Sequence, residues 1–192
     1  FPRYRLEGHH DLTAGRRHRL PLFRREGLAA RRYHRVTGDA GAEPRETERP
    51  AVTRVVAWTA EGDLPGGNLD LYRHEERGST WLGSGRLPPT PEGEPVAVAL
   101  GPSFAVTARR ELQARRALEG AEGFIAQWAI RLRNGAERAT TVTLRERFPG
   151  RWRLLAASDS PAERNARRAE WRLRLEAGGT RTLTYRARVE TP

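Results

Sequence analysis

Cysteine, methionine and lysine are all missing from this sequence. Without cysteine there is no disulfide, thiolate metal site, iron–sulfur cluster or cysteine nucleophile. Without lysine, all 35 basic residues are arginine. Isoleucine, asparagine and glutamine are scarce, while arginine, alanine, glycine and proline abound. That bias fits a GC-rich genome first, and the shortage of thermolabile residues also fits a hot habitat. The absence of methionine sets up an expectation that translation began upstream of Phe1, at a signal peptide, a further domain or a truncation boundary. The first residues themselves carry no signal-like pattern. Long apolar runs are missing too: none approaches the roughly 20 residues of a membrane-spanning helix.

What is present is a chain of 192 residues with a net charge of +11. This length accommodates one domain, or one with a small appendage, and buries about 70 % of its unfolded surface without a staple. The apolar share is low at 37 %, but frequent Trp, Phe, Val and Leu argue against disorder.

The texture is short alternating segments punctuated by Gly and Pro. In 168–176, Ala169, Trp171, Leu173 and Leu175 alternate with Arg and Glu, and in 182–190 Leu183, Tyr185, Ala187 and Val189 do the same. Period two marks half-buried strands, and Ala177-Gly178-Gly179 between them predicts a C-terminal hairpin. Strands are also predicted over 124–132 and 140–147, joined by the turn signal Asn134-Gly135. Further strands are expected over 52–58, 69–74 and 96–100, with weaker ones around Leu20, Leu22 and Tyr33. The stretch 108–121 reads as a long strand returning near Gly120–Gly123, with a short helix as the alternative, since Ala, Arg, Glu and Leu favour helix. Many strands at short spacing predict an all-β fold, an antiparallel β-sandwich with long hairpins. A Gly/Pro/Glu/Thr-rich stretch at 38–50 suggests a boundary, with a basic N-terminal β segment and linker over 1–49 and the sandwich over 50–192. Other loops are expected at 87–95 and 157–166.

The run Leu64-Pro65-Gly66-Gly67-Asn68-Leu69-Asp70-Leu71-Tyr72 resembles a Leu-Pro-x-Gly-x-x-x-x-Tyr segment. That segment belongs to a C-terminal β-rich domain of unknown function in bacterial envelope-type proteins and the mucoidy-inhibitor A family. The likeness continues in order through Trp81-Leu82-Gly83, Thr90 to Val96, Gly101-Pro102-Ser103-Phe104-Ala105-Val106, Leu132-Arg133-Asn134 and Leu183-Thr184-Tyr185. Ala105 stands where that family usually has Asp. The resemblance covers roughly residues 50–190, with a looser echo at 16–23. It implies a β-rich architecture and an envelope setting, and it supplies no catalytic residue.

Candidate chemistry is sparse. His9, His10 and Asp11 are adjacent, with His18 and His34 nearby. Neighbouring strand residues point to opposite sides, which disfavours the convergence a metal needs. Glu75-Glu76 and Asp159 lack the facing arrangement of paired acid–base carboxylates. Ser79, Ser84, Ser103, Ser158 and Ser160 sit in no nucleophile-elbow context, and Gly83-Ser84-Gly85 is not a phosphate loop. No catalytic residue, metal ligand or cofactor is assigned. Trp128 and Trp171 lie on apolar strand faces, whereas Trp81 and Trp152 are the Trp residues open to exposure and hence to sugar stacking.

Charge is the most informative feature. Residues 1–35 hold ten arginines against three acids. Arg16, Arg17, Arg19, Arg24, Arg25, Arg31, Arg32 and Arg35 form the candidate partner-binding set, since guanidinium binds carboxylate, sulfate and phosphate bidentately. The sequence therefore suggests a non-enzymatic envelope or extracellular scaffold domain. It would meet a protein partner, a second copy through strand edges, or an acidic envelope polymer. The alternative is a cytoplasmic, nucleic-acid-associated protein binding phosphates through the same arginines, although no helix-turn-helix, zinc-finger or RNP pattern is present.

Overall fold

The computed structural model describes residues 8–41, 47–76 and 78–191. Thirteen strands are seen and, among the described residues, no helix. They are β1 (Arg31–Asp39), β2 (Thr47–Glu48), β3 (Val52–Thr59), β4 (Gly67–Glu75), β5 (Gly78–Leu87), β6 (Pro95–Pro102) and β7 (Val106–Ala117). They continue with β8 (Gly123–Asn134), β9 (Thr140–Arg147), β10 (Arg151–Ala157), β11 (Glu163–Asn165), β12 (Arg168–Leu175) and β13 (Thr180–Glu190). A six-stranded sheet runs β11-β12-β9-β1-β3-β6, a five-stranded sheet runs β10-β13-β8-β7-β2, and β4-β5 is a separate hairpin. The fold is all-β and sandwich-like.

The alternation seen in the sequence builds this core. Ala169, Trp171, Leu173 and Leu175 of β12 and Leu183, Tyr185, Ala187 and Val189 of β13 are all buried, in one cluster with Trp128, Ile130, Leu132, Val142 and Leu144. Each large apolar side chain taken fully out of water contributes about 1.5–3 kcal/mol. A second cluster forms where the hairpin lies against the other sheet: Val56, Val96, Val98 and Leu100 with Leu69, Leu71 and Leu87.

The long strand expected over 108–121 is present and its helical alternative is not, while three other expectations need correction. β7 runs to Ala117 and returns into β8 with Leu118 N–H bonded to the Gly123 carbonyl. Its register with β8 sets Ala108, Arg110 and Leu112 opposite Leu132, Ile130 and Trp128, so tertiary pairing overrides helix propensity. The predicted C-terminal hairpin is instead a crossing between sheets, because β12 pairs with β9 and β13 with β8. The Asn134-Gly135 connection likewise joins β8 in one sheet to β9 in the other. Finally, the division at residue 50 does not separate the strands. β1 lies between β9 and β3, parallel to the former and antiparallel to the latter. Within the expected loop at 38–50, residues 42–46 lie outside the described residues.

The two crossings are tied together by one side chain. Asn134 is fully buried. Its Nδ2 donates to the carbonyls of Arg138 (2.8 Å) and Glu176 (3.0 Å), and its Oδ1 accepts from the Ala136 N–H (3.0 Å). The Asn134 N–H also reaches the Gly179 carbonyl at 2.9 Å. The turn signals in the sequence are thus real, but they stack two arches at one end of the sandwich.

Candidate functional site

That end of the sandwich carries an open cleft of about 570 Å³. The inner face of β1 leads into it: Arg32 is exposed, His34 half-buried and Val36 fully buried. His34 sits opposite Arg54 of β3 and beside Val142 of β9. Arg54 is the one charged residue of β3, with buried Val52 and Val56 two residues to either side. Its Nη1 donates to the Leu82 carbonyl (2.9 Å) and its Nη2 to the Leu100 carbonyl (3.4 Å). Its Nε is buried with no hydrogen-bond partner among the described residues. Arg138 from the Asn134 arch and Arg174 from β12, opposite Thr141, complete the wall.

Four arginines line this cleft and, among the described residues, no Asp or Glu does. Among them only Arg174 has an ion-pair partner among the described residues, Glu176 at 2.7 Å. His34 Nδ1 is 3.0 Å from Thr140 Oγ1. Burial, and then the Arg54 charge, lower the His34 pKa below its ordinary value. Both effects favour the neutral ring. An oxyanion entering here would meet the guanidinium groups of Arg32 and Arg138, which have no ion-pair partner among the described residues, and the positive charge of Arg54, whose two Nη groups are already held by carbonyls, a combination that suits carboxylate, sulfate or phosphate. Phe104, 93 % exposed, stands beside the cleft residue Ala105. The Ser103 Oγ accepts from the Val106 N–H at 3.0 Å and fixes that turn.

A larger open cleft of about 670 Å³ lies among Arg147, Arg151 and Arg167, between the end of β9, the start of β10 and the β11–β12 turn. Glu190 shares it and is paired to Arg188 at 2.9 Å. Its own carboxylate already competes for any anion, so the first cleft is the better candidate.

The eight arginines singled out from the sequence disperse. Arg16, Arg17 and Arg19 are exposed on the segment before β1. Arg24 pairs with Glu26 at 2.7 Å, Arg25 lies over Phe23, and Arg31 over Tyr33. Arg35 is half-buried in β1. Only Arg32 reaches the cleft. His9, His10 and His18 are exposed, and among the described residues no three metal-ligating side chains converge. Glu75 pairs with Arg73 and Asp159 with Arg181. Ser79 meets His74, and Ser158 donates to Asp159.

Sequence reasoning missed Arg54, Arg138 and Arg174, and weighed His34 only as a metal ligand. A signal existed for Arg54, the one charge within the Val- and Ala-rich run 52–59. Arg138 and Arg174 come from separate segments that only the arches bring together.

One more polar cluster lies inside the core. Arg110 and Glu146 are both fully buried. Arg110 Nε reaches Glu146 Oε1 at 3.1 Å and Nη2 reaches Oε2 at 2.9 Å, while Nη1 meets Glu48 at 3.2 Å. The guanidinium stacks on Trp128, 3.3 Å from the ring centre. Tyr185 donates to Glu146 Oε2 at 2.9 Å. Burial first, and Glu146 next, push the Tyr185 pKa well above its ordinary value, so its proton stays in place. Arg110, Glu146 and Tyr185 each have a hydrogen-bond partner, whereas the buried Trp128 Nε1 has none among the described residues, and the cluster serves as a polar pin between the sheets.

No family model, no curated protein and no solved structure matches this chain.

Proposed function

We propose that this chain is a non-enzymatic interaction domain of the cell envelope or extracellular space, and that its end cleft holds the acidic groups of an envelope polymer. The observation that carries this reading is the cleft wall of Arg32, Arg54, Arg138 and Arg174, with no Asp or Glu among the described residues that line it. The resemblance to the envelope domain of the mucoidy-inhibitor A family supports the setting. Assembly through a sheet edge belongs to the same reading. β10 ends the five-stranded sheet, and a strand from a second chain can pair at such an edge. A strict monomer in sedimentation at high concentration would remove that part.

The test of the cleft is calorimetric titration with polygalacturonate at about 50 and 200 mM salt, the range over which phosphate-type electrostatic binding collapses. The expected result is salt-sensitive binding that weakens at least tenfold in Arg32→Ser/Arg138→Ser and much less in Arg16→Ser/Arg17→Ser. Equal losses in the two variants would return the function to the N-terminal arginines. Tighter capture of duplex DNA than of polygalacturonate would make the protein nucleic-acid-associated.

A further inference from the structure

The β4–β5 hairpin presents an unusual outer face. Leu69, Leu71 and Leu87 turn inward to the second core cluster. Leu82 is an extra residue in β5, because Leu71 pairs with Gly83 while Tyr72 pairs with Trp81. That bulge sets Tyr72 and Trp81 directly across from each other and outward, 51 % and 57 % exposed. Among the described residues neither ring stacks on another aromatic or on a cation, and neither Tyr72 Oη nor Trp81 Nε1 has a hydrogen-bond partner. Both rings therefore keep an open π face and an open polar tip.

The platform is held from behind. A Cβ at Gly83 would stand 2.8 Å from the Leu100 carbonyl oxygen, and one at Gly85 would overlap the Ala99 carbonyl. Only glycines let β5 lie this close to β6. Arg54 then pins the bulge through its bond to the Leu82 carbonyl. Two large aromatics exposed on a rigid support are poised to bind without an ordering cost.

The neighbours on the same face decide the ligand. Towards the tip, Ser79 Oγ lies 2.7 Å from His74 Nδ1. Away from it, Asp70 pairs with Ser84 and Asn68 with Arg86. The cross-strand pairs that flank the two rings, His74 with Ser79, Asp70 with Ser84 and Asn68 with Arg86, are all polar, which argues against a protein partner. Among the described residues, Asp70 and Arg86 offset each other on this face of a chain whose net charge is +11. Nucleobases also stack on aromatics, but single-stranded nucleic acid needs a cationic groove beside the rings. A pyranose chain matches the whole set. Its C–H face is apolar and slightly positive, suited to the negative face of an aromatic ring. Its hydroxyls suit the short Asp, Asn and Ser groups around it.

We infer that the Tyr72–Trp81 face is a second binding site, separate from the arginine cleft, for a neutral polysaccharide of pyranose rings. The experiment is affinity electrophoresis of the whole chain in gels containing hydroxyethylcellulose, glycol chitin or dextran. It is paired with NMR of the Trp81 indole N–H on adding cellohexaose. Retardation in one of these gels is expected, lost in Trp81→Ala, weakened at least tenfold in Tyr72→Ala, and retained in Arg32→Ser/Arg138→Ser. Both aromatics are exposed, so the variants should keep the wild-type circular dichroism. A Trp81→Ala chain that has lost that spectrum is replaced by Trp81→Phe, which is expected to restore partial retardation. No retardation of the wild type together with an unmoved Trp81 signal overturns the proposal. Retardation that survives in Trp81→Ala, or that disappears with the cleft variant, overturns it as well.

Discussion

At the scale of single residues, the buried Arg110–Glu146 pair makes the sharpest stability prediction. Removing one member of a buried pair leaves the other charge unneutralised, at a cost of about 3–5 kcal/mol. Arg110→Met should show a loss of that order in urea unfolding at pH 7. Adding Glu146→Gln should recover at least half, because the amide still accepts the Tyr185 proton and the one carboxylate left without Arg110, Glu48, is partly open to water. A double variant as unstable as the single would mean that the pair itself supplies net stability. His34 makes a pH prediction. Burial and Arg54 lower its pKa in the folded chain, so the fold favours the neutral ring. The stability this contributes is complete above the ordinary value near 6.5 and declines as pH falls below it. His34→Gln should flatten that part of the stability profile. An anion in the cleft would reverse the bias, so the His34 titration followed by NMR should move upward when sulfate is added. An unmoved titration would place sulfate elsewhere.

At the scale of elements, Asn134 holds two arches with one amide. Asn134→Ala should cost about 2 kcal/mol, since the buried carbonyls of Arg138 and Glu176 lose their donor. A loss under 0.5 kcal/mol would show that the backbone bonds alone suffice. The strands themselves were largely legible. Alternation located β3, β4, β6, β8, β9, β12 and β13 to within a residue or two. Partners were not legible, because period two reports which face a residue takes and says nothing about the neighbouring strand. Asn134-Gly135 and Gly178-Gly179 are sound turn signals, yet a turn that reverses within a sheet and one that crosses between sheets use the same residues. The parallel pairing of β1 with β9 has no local signature at all. The candidate site suffered for the same reason. Charge density along the chain pointed to residues 16–35, while the cleft collects arginines from four distant segments. The Tyr72–Trp81 pair depends on a bulge at Leu82 that no pattern announces.

At the scale of the whole molecule, the order of strands governs how the chain can assemble. The His34–Thr140 bond joins residues 106 positions apart, and β1 sits between β9 and β3 in the middle of its sheet. Long-range pairings of this kind place refolding in the millisecond-to-second range. Stopped-flow dilution from urea should find the main phase there, and a microsecond phase carrying most of the amplitude would contradict it. The same placement has a meaning for biosynthesis. As the nascent polypeptide leaves the ribosome, β1 emerges early, but the flank that β9 will occupy stays vacant until residue 147 has been made. For most of that interval β1 and β3 offer a hydrogen-bonding border to any passing strand. The chain is thus most open to misassembly before its own later half arrives, and a chaperone that shields that border would protect it most.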